Sequence, residues 1–187
     1  FNAMLFHRVI ENFMIQSGDP DSKTAPATSA DSPAPELGNS DVPTADGSIT
    51  IPAEIIYPQF FHKRGALAAA RESDDNNPEL SSSSSQFYIV WGKWPVTRGK
   101  TPYRPLLGYY ETDAETGNAA VHRKYWDKAA DPKPETQPGT PWLDGGYTVF
   151  GEVISGLDIV DKIQKAETDS NDRPLNDIRI ISTEIVN

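Results

Sequence analysis

Apolar and polar residues alternate along several short segments of the chain, a period of two that is typical of half-buried β-strands. In residues 1–19 this alternation predicts two short strands joined by a turn at Glu11 and Asn12. Further strands are predicted in four segments: 49–56, 65–70, 86–90 and 178–185. The strand at 65–70 consists of small residues, which leave room for another backbone or a ligand. The pattern therefore indicates a mainly β protein.

The spacing of apolar residues changes from two to three near the carboxyl end of the chain. Leu157, Val160 and Ile163 follow this longer period and predict an amphipathic α-helix over residues 156–165. We expect its apolar side to cover one end of the β-structure.

Two long segments interrupt the predicted strands. Residues 20–46 hold almost no large apolar residue, so burial cannot offset their chain entropy and a surface loop is predicted. Residues 91–141 are broken by prolines and are predicted to be an insertion, in which only residues 119–130 resemble a helix. The serine run at 81–85 leads directly into a strong strand, so we expect it to be an ordered loop.

Composition and charge exclude several classes of function. The chain has 187 residues and 37% hydrophobic content, which favours one domain with a sizeable core. A net charge of −10 argues against nucleic acid and anionic membrane surfaces as partners, because phosphate binding requires a basic surface. No apolar run is long enough to span a bilayer. The Ser-, Thr- and Pro-rich insertions of this acidic chain are more typical of a bacterial periplasmic or surface-attached protein than of a cytoplasmic one, but they do not decide the compartment.

The sequence offers little for metal or nucleophilic chemistry. It has no cysteine, and its three histidines, His7, His62 and His122, are too far apart for the usual zinc-ligand spacings. We therefore predict structural or surface roles for these histidines, and no metal.

Three blocks combine a cation, polar amides and aromatic residues. They run Phe6-His7-Arg8-Val9-Ile10 to Asp19, Ser85-Gln86-Phe87-Tyr88-Ile89, and Trp142-Leu143-Asp144-Gly145-Gly146-Tyr147. In this content and order the blocks resemble the cyclophilins, which are peptidyl-prolyl cis-trans isomerases. The resemblance implies a closed antiparallel β-barrel of eight strands capped by helices, with residues 1–187 forming a single domain that carries insertions at about 20–46 and 91–141. It aligns the beginning of this chain with the third strand of the barrel, so the first two strands and the first helix are expected to lie outside it.

The resemblance also implies the residues of a site. Arg8 aligns with the catalytic arginine of the family, a role that suits a side chain that stays charged and presents rigid donors. The substrate groove is expected to contain Phe13, Met14, Gln16, Ala70, Arg71, Gln86, Tyr88, Trp142, Leu143 and Tyr147. Three of these depart from the usual pattern: Tyr88 stands where phenylalanine is common, Tyr147 where many members have histidine, and Arg71 where asparagine is usual. With Glu72 after it, Arg71 is expected to shift the preference of the groove toward charged flanking residues.

The implied function is isomerisation of Xaa-Pro bonds in polypeptides without a cofactor, which assists protein folding. The expected partners are proline-containing peptides and unfolded proteins, and cyclosporin-like ligands by extension of the resemblance. Two alternatives belong to other classes. A proline-peptide binding module or chaperone would keep the groove without turnover, and an unrelated β-sandwich that binds carbohydrate or a partner would bury the same residues in its core.

Overall fold

The structure is a computed structural model that describes residues 1–27, 35–57, 59–92, 97–98, 101–102 and 139–186. The predicted helix-like part of the 91–141 insertion, residues 119–130, lies outside the described residues.

A five-stranded antiparallel sheet forms the centre of the fold. The chain order of the strands is β1 (Arg8–Ile10), β2 (Met14–Ser17), β3 (Thr50–Ile51), β4 (Ala66–Ala69), β5 (Ser82–Ser83), β6 (Phe87–Val90), β7 (Thr97–Arg98), β8 (Thr101–Pro102) and β9 (Val149–Glu152). The central sheet has the order β1-β2-β6-β4-β9, while β3 pairs with β5 and β7 with β8 in separate two-stranded ladders. Helix α1 (Leu157–Gln164) and the 3-10 helices Pro20–Lys23 and Pro141–Leu143 complete the described elements. The predictions of a mainly β protein and of a helix near residues 156–165 are confirmed.

The two faces of the central sheet bury different apolar clusters, because successive side chains of a strand point to opposite sides. One face packs Val9 and Ile15 against Val160 of α1. The other face, which we call the site face, carries Ile10, Met14, Ala66, Ala68, Tyr88 and Val90. Helix α1 thus covers one face of the sheet and leaves the site face to the loops.

The end of β2 and the beginning of β6 approach each other closely at Gly18. Gly18 has φ +103°, and a Cβ built there would lie 2.2 Å from the carbonyl oxygen of Ser85. Only glycine fits this approach. The serine run at 81–85 is ordered, as predicted, since Ser82 and Ser83 form β5 and Ser85 donates to the Gly18 carbonyl at 2.9 Å.

The closed barrel predicted from the resemblance is wrong for the described residues. They form an open sheet whose edge strands, β1 and β9, do not pair with each other. Closure of a barrel requires a continuous ladder of hydrogen bonds around the whole sheet. The expectation that two strands and a helix lie outside this chain gains no support from the structure.

The predicted strand at residues 178–185 is also wrong. Residues 178–180 run beside residues 3–6, with one isolated bridge between Leu5 and Arg179. Ala3 has φ 65°, which interrupts an extended ladder, and the Arg179 guanidinium donates to the carbonyl groups of Ala3 and Ser22. No described helix has the length and apolar character needed to cross a membrane.

Candidate functional site

Strand register brings several of the predicted site residues into one row on the site face. Arg8 is paired with Gln16, Gln16 with Tyr88, and Tyr88 with Ala68 across four neighbouring strands. Directly paired residues of antiparallel strands project their side chains to the same face. A cation, an amide and an aromatic ring therefore lie side by side.

A tight turn between β1 and β2 sets the position of Phe13. Asn12 adopts a left-handed conformation with φ 64°, which asparagine tolerates better than most residues. The Phe13 carbonyl accepts hydrogen bonds from the backbone N–H groups of Trp91, at 2.9 Å, and Gly92, at 3.0 Å. The turn is thus held against the end of β6.

The segment from the 3-10 helix Pro141–Leu143 to Tyr147 supplies the other wall of the site. The rings of Phe13 and Trp142 lie 5.6 Å apart, and Leu143 and Tyr147 pack against the same cluster as Met14 and Tyr88. The rings of Tyr88 and Tyr147 meet edge to face at 5.9 Å. Five predicted substrate-binding residues thus join Met14 in one aromatic and apolar cluster, which we call the pocket cluster: Phe13, Tyr88, Trp142, Leu143 and Tyr147, together with Met14.

Arg8 stands at the edge of this arrangement with its side chain 42% exposed, so its guanidinium can reach a ligand. Its Nε lies 3.5 Å from Oδ2 of Asp172, whose side chain is only 4% exposed. The carbonyl of Asp172 accepts a hydrogen bond of 2.7 Å from the N–H of Val9. A buried carboxylate anchored to β1 therefore faces the predicted catalytic cation, and sequence reasoning missed it.

The two predicted glutamines form a polar wall. Gln16 Nε2 donates to Gln86 Oε1 at 3.2 Å, and Gln86 Nε2 donates to the carbonyl groups of Gly38 and Ser40. Because the Gln86 amide is held on both sides, the Gln16 amide is also oriented. Residues 38–40 belong to the loop predicted at 20–46, so part of that loop contributes to the site.

Arg71 is engaged within the protein. Its guanidinium lies 4.2 Å from the ring centroid of Tyr147, Nε donates to the Gly146 carbonyl at 2.7 Å, and Nη1 pairs with Asp74 at 2.7 Å. The charge of Arg71 is therefore neutralised by Asp74 and its side chain supports Tyr147.

A polar cavity of about 310 Å³ adjoins the glutamines. Its lining includes Gln16, Ala70, Arg71 and Gln86, together with the carboxylate residues Asp41 and Glu72. Since Arg71 is paired with Asp74, the cavity has an acidic character. The structure thus brings Ala70 and Arg71 beside the glutamines, while the pocket cluster occupies the neighbouring part of the site face.

His62 and Asp144 are further residues that sequence reasoning did not assign to the site. The side chains of His62 and Asp144 are 1% and 4% exposed and lie 3.0 Å apart, directly beside Tyr88. The only available signal was the position of Asp144 immediately after Leu143 in the third block. The structural role expected for His62 agrees with its burial. Among the described residues no cluster of three acidic or histidine side chains could hold a metal ion.

Comparison with known proteins identifies the group to which this arrangement belongs. The family model described as cyclophilin type peptidyl-prolyl cis-trans isomerase/CLD matches residues 1–185. A putative peptidyl-prolyl cis-trans isomerase of Staphylococcus saprophyticus is 30% identical over 204 residues, which covers 100% of this chain and 74% of that protein. A peptidyl-prolyl cis-trans isomerase-like protein of Aspergillus fumigatus is 24% identical over 190 residues, covering 100% of this chain and 73% of its own length.

Solved structures show the same fold relationship. A crystal structure of a cyclophilin type peptidyl-prolyl cis-trans isomerase from Cryptosporidium parvum has a TM-score of 0.56 at 20% identity and covers 96% of this chain and 71% of that chain. The same protein was also crystallised in the presence of the dipeptide Ala-Pro. These matches exclude the unrelated β-sandwich alternative.

Proposed function

The chain belongs to the cyclophilin-type peptidyl-prolyl cis-trans isomerases, and we propose that Arg8 and the pocket cluster carry out this isomerisation on Xaa-Pro bonds of polypeptides. The observation that supports these roles is the row of Arg8, Gln16 and Tyr88 beside the pocket cluster. The alternative of a binding module without turnover is not favoured, because the relatives are named as isomerases.

Isomerisation of a prolyl bond needs neither a covalent intermediate nor a cofactor. Rotation is slow because it breaks the conjugation of the amide, with a barrier of about 18–20 kcal/mol. When the bond twists, the lone pair of the proline nitrogen is no longer delocalised and can accept a hydrogen bond. A donor that meets this nitrogen only in the twisted state lowers the barrier selectively.

Arg8 is suited to act as this donor. Its guanidinium remains protonated under all ordinary conditions and presents several N–H groups in a fixed plane. The Asp172 carboxylate 3.5 Å away limits the orientations of the side chain without removing its exposed end from solvent. We therefore propose Arg8 as the catalytic residue and Asp172 as the group that orients it.

The pocket cluster is proposed to grip the proline ring. Phe13, Met14 and Leu143 provide apolar contacts, with Trp142 at 5.6 Å from the Phe13 ring and Tyr88 below them. Apolar contacts hold the proline ring fixed while the preceding carbonyl group rotates. The motion is therefore confined to the Xaa-Pro bond. We extend the same proposal to cyclosporin-like ligands, whose apolar groups would occupy this cluster.

The polar wall and the cavity are proposed to hold the backbone and the flanking residue of the peptide. Gln16 offers an amide group that Gln86 orients, and Ala70 borders the cavity without a bulky side chain. Asp41 and Glu72 in the cavity favour a basic flanking residue. We further propose that residues 1–187 act as one domain with insertions at 20–46 and 91–141.

The test is cis-trans exchange of a short Xaa-Pro peptide, followed by two-dimensional NMR exchange spectroscopy. We expect wild-type protein to accelerate the exchange and Arg8→Ala to lose about 100-fold or more of this acceleration, the size expected for removal of one transition-state donor. Arg8→Lys keeps the charge but not the planar array of donors, so it should recover only part of the rate.

Lys162→Ala is the matched control for the loss of a cation. Lys162 lies on α1 with 73% of its side chain exposed, paired with Asp158 at the surface. It should leave the exchange rate unchanged. Equal acceleration by wild-type protein and Arg8→Ala would refute the role of Arg8, and peptide binding without any acceleration would refute catalysis by this chain.

A further inference from the structure

A buried hydrogen-bonded chain runs beneath the pocket cluster from Asp144 through His62 to Tyr88. His62 Nδ1 lies 3.0 Å from Asp144 Oδ1, and His62 Nε2 lies 2.9 Å from the hydroxyl oxygen of Tyr88. The exposed fractions are 1% for His62 and 4% for the Asp144 side chain and for Tyr88. All three polar groups are thus removed from water. Each therefore needs a hydrogen-bond partner inside the protein.

The protonation of Tyr88 follows from its surroundings. Burial raises the pKa of Tyr88 well above its ordinary value, and Tyr147 and Asp144 raise it further, so the phenol keeps its proton. The Tyr88 hydroxyl can therefore donate to His62 Nε2. In the tautomer that accepts this hydrogen bond, Nδ1 of the same ring carries the proton and can donate to Asp144 Oδ1.

The same histidine also connects two separate parts of the site. Tyr88 lies on β6, whereas Asp144 follows Leu143 in the loop that supplies the other wall. The backbone N–H of His62 donates to Asp144 Oδ1 at 2.9 Å, and its carbonyl accepts from Thr140 N–H at 2.8 Å. Both ends of this loop segment are therefore tied to His62.

Ring contacts strengthen this connection. The His62 ring lies nearly parallel to the Tyr88 ring, with an interplanar angle of 11° and centroids 6.0 Å apart, and meets Tyr147 edge to face at 6.2 Å. Phenylalanine at position 88 would keep the ring but leave His62 Nε2 without its partner. The hydroxyl group thus adds a link that a phenylalanine pocket would not have.

We propose that His62 is a positioning residue that holds Tyr88 and the loop with Trp142 and Leu143 at a fixed separation, and so sets the width of the pocket cluster. This inference rests on the proposed function of the pocket cluster. His62 is 1% exposed and its two ring nitrogens are engaged by Asp144 and Tyr88, so it acts through these neighbours rather than on the substrate.

The experiment compares wild-type protein with His62→Leu, His62→Gln and Tyr88→Phe. For each, NMR titration with a Pro peptide gives the dissociation constant, and exchange spectroscopy at saturation gives the catalysed rate. We expect His62→Leu to weaken peptide binding about tenfold, because the loop with Trp142 and Leu143 is displaced relative to Tyr88. The catalysed rate at saturation should be reduced much less. His62→Gln keeps a hydrogen-bonding side chain and should recover part of the affinity.

A double variant separates positioning through Tyr88 from a general loss of stability. Because the proposal has His62 act through the Tyr88 hydroxyl as well as through the loop, the effect of His62→Leu on affinity should be smaller in the Tyr88→Phe background than in wild-type protein. Ile15→Val, which truncates the opposite face of the sheet, is the control for lost stability and should leave affinity unchanged. Equal effects of His62→Leu in both backgrounds, or wild-type affinity for His62→Leu, would overturn the proposal.

Amide hydrogen exchange gives a readout that does not require activity. The N–H groups of Leu143 and Gly146 are hydrogen-bonded within the loop, to the carbonyl groups of Thr140 and Leu143. They should exchange about tenfold faster in His62→Leu and Asp144→Asn, while amides of β2 keep their protection. Unchanged loop exchange would refute positioning by His62 even if the isomerase activity were confirmed, and faster loop exchange would support it even if catalysis failed.

Discussion

His7 makes the stability of this protein depend on pH in a range where few other groups titrate. It is 4% exposed, and neither ring nitrogen has a hydrogen-bond partner among the described residues. The pKa of His7 is lowered from 6.5 to about 4, chiefly because burial disfavours the charged form; Asp19 opposes this shift, and Arg8 and Arg173 contribute to it. The folded protein therefore holds this side chain neutral at a pH where the unfolded chain protonates it.

The sign and size of the effect follow from this difference. Above the unfolded pKa of 6.5 both states are neutral at His7 and the full stability is present. As the pH falls toward about 4, the unfolded state binds more protons and the free energy of unfolding decreases. The complete shift corresponds to about 3 kcal/mol, of which about 2 kcal/mol is lost between about pH 7.5 and about pH 5.

The assay is urea unfolding followed by tryptophan fluorescence across that pH range. His7→Leu removes the titrating group, so we expect its free energy of unfolding to fall by about 2 kcal/mol less than that of wild-type protein over the same range. Val9→Ala is the control, because it truncates a neighbouring side chain that is 1% exposed and should lower stability equally at both ends of the range. If wild-type protein and His7→Leu lose the same stability on acidification, the buried neutral state of His7 is refuted.

Two further predictions concern the groups around the site. Asp172→Asn removes the carboxylate that faces Arg8 and should lower the catalysed exchange rate about three- to tenfold, because the guanidinium is then less restricted. The control Asp158→Asn breaks an exposed ion pair on α1 and should leave the rate unchanged. An unchanged rate for Asp172→Asn would refute the role of Asp172 in orienting Arg8. In a peptide series with Lys, Ala or Glu beside the Xaa-Pro unit, the Lys peptide should bind best at low salt, and Asp41→Asn or Glu72→Gln should each reduce this preference about two- to fivefold. Equal affinity for the Lys and Glu peptides would contradict an acidic cavity.

Much of the local structure could be predicted from sequence. The alternation around Arg8 and Met14 predicted the β1-β2 hairpin, and the period of three from Leu157 to Ile163 predicted α1. Both signals depend on neighbours within a few positions, where strand or helix geometry alone decides which side chains share a face. The resemblance then indicated which of these side chains to consider together.

The failures have physical causes that lie beyond local pattern. Residues 178–185 alternate like a strand, but a strand also requires a partner along its whole length, and here regular pairing stops after the Leu5–Arg179 bridge. The barrel was inferred from the family, whereas the described strands form a sheet whose two edge strands, β1 and β9, do not pair with each other. In each case the missing information concerned pairing between distant segments.

By itself, the sequence determined the residue types of the proposed site and their order along the chain: Arg8 in the first block, Gln86 and Tyr88 in the second, and Trp142 and Leu143 in the third. Only the tertiary structure decided that Asp172 faces Arg8, that Asp74 neutralises Arg71, and that His62 joins Tyr88 to Asp144. These contacts join residues that are far apart in the sequence or that meet only because of the conformation of a loop. The sequence around a histidine such as His62 does not indicate which residues it will contact. Burial and hydrogen bonding convert such isolated residues into parts of the site, because a polar group removed from water must find its partner wherever the fold brings one.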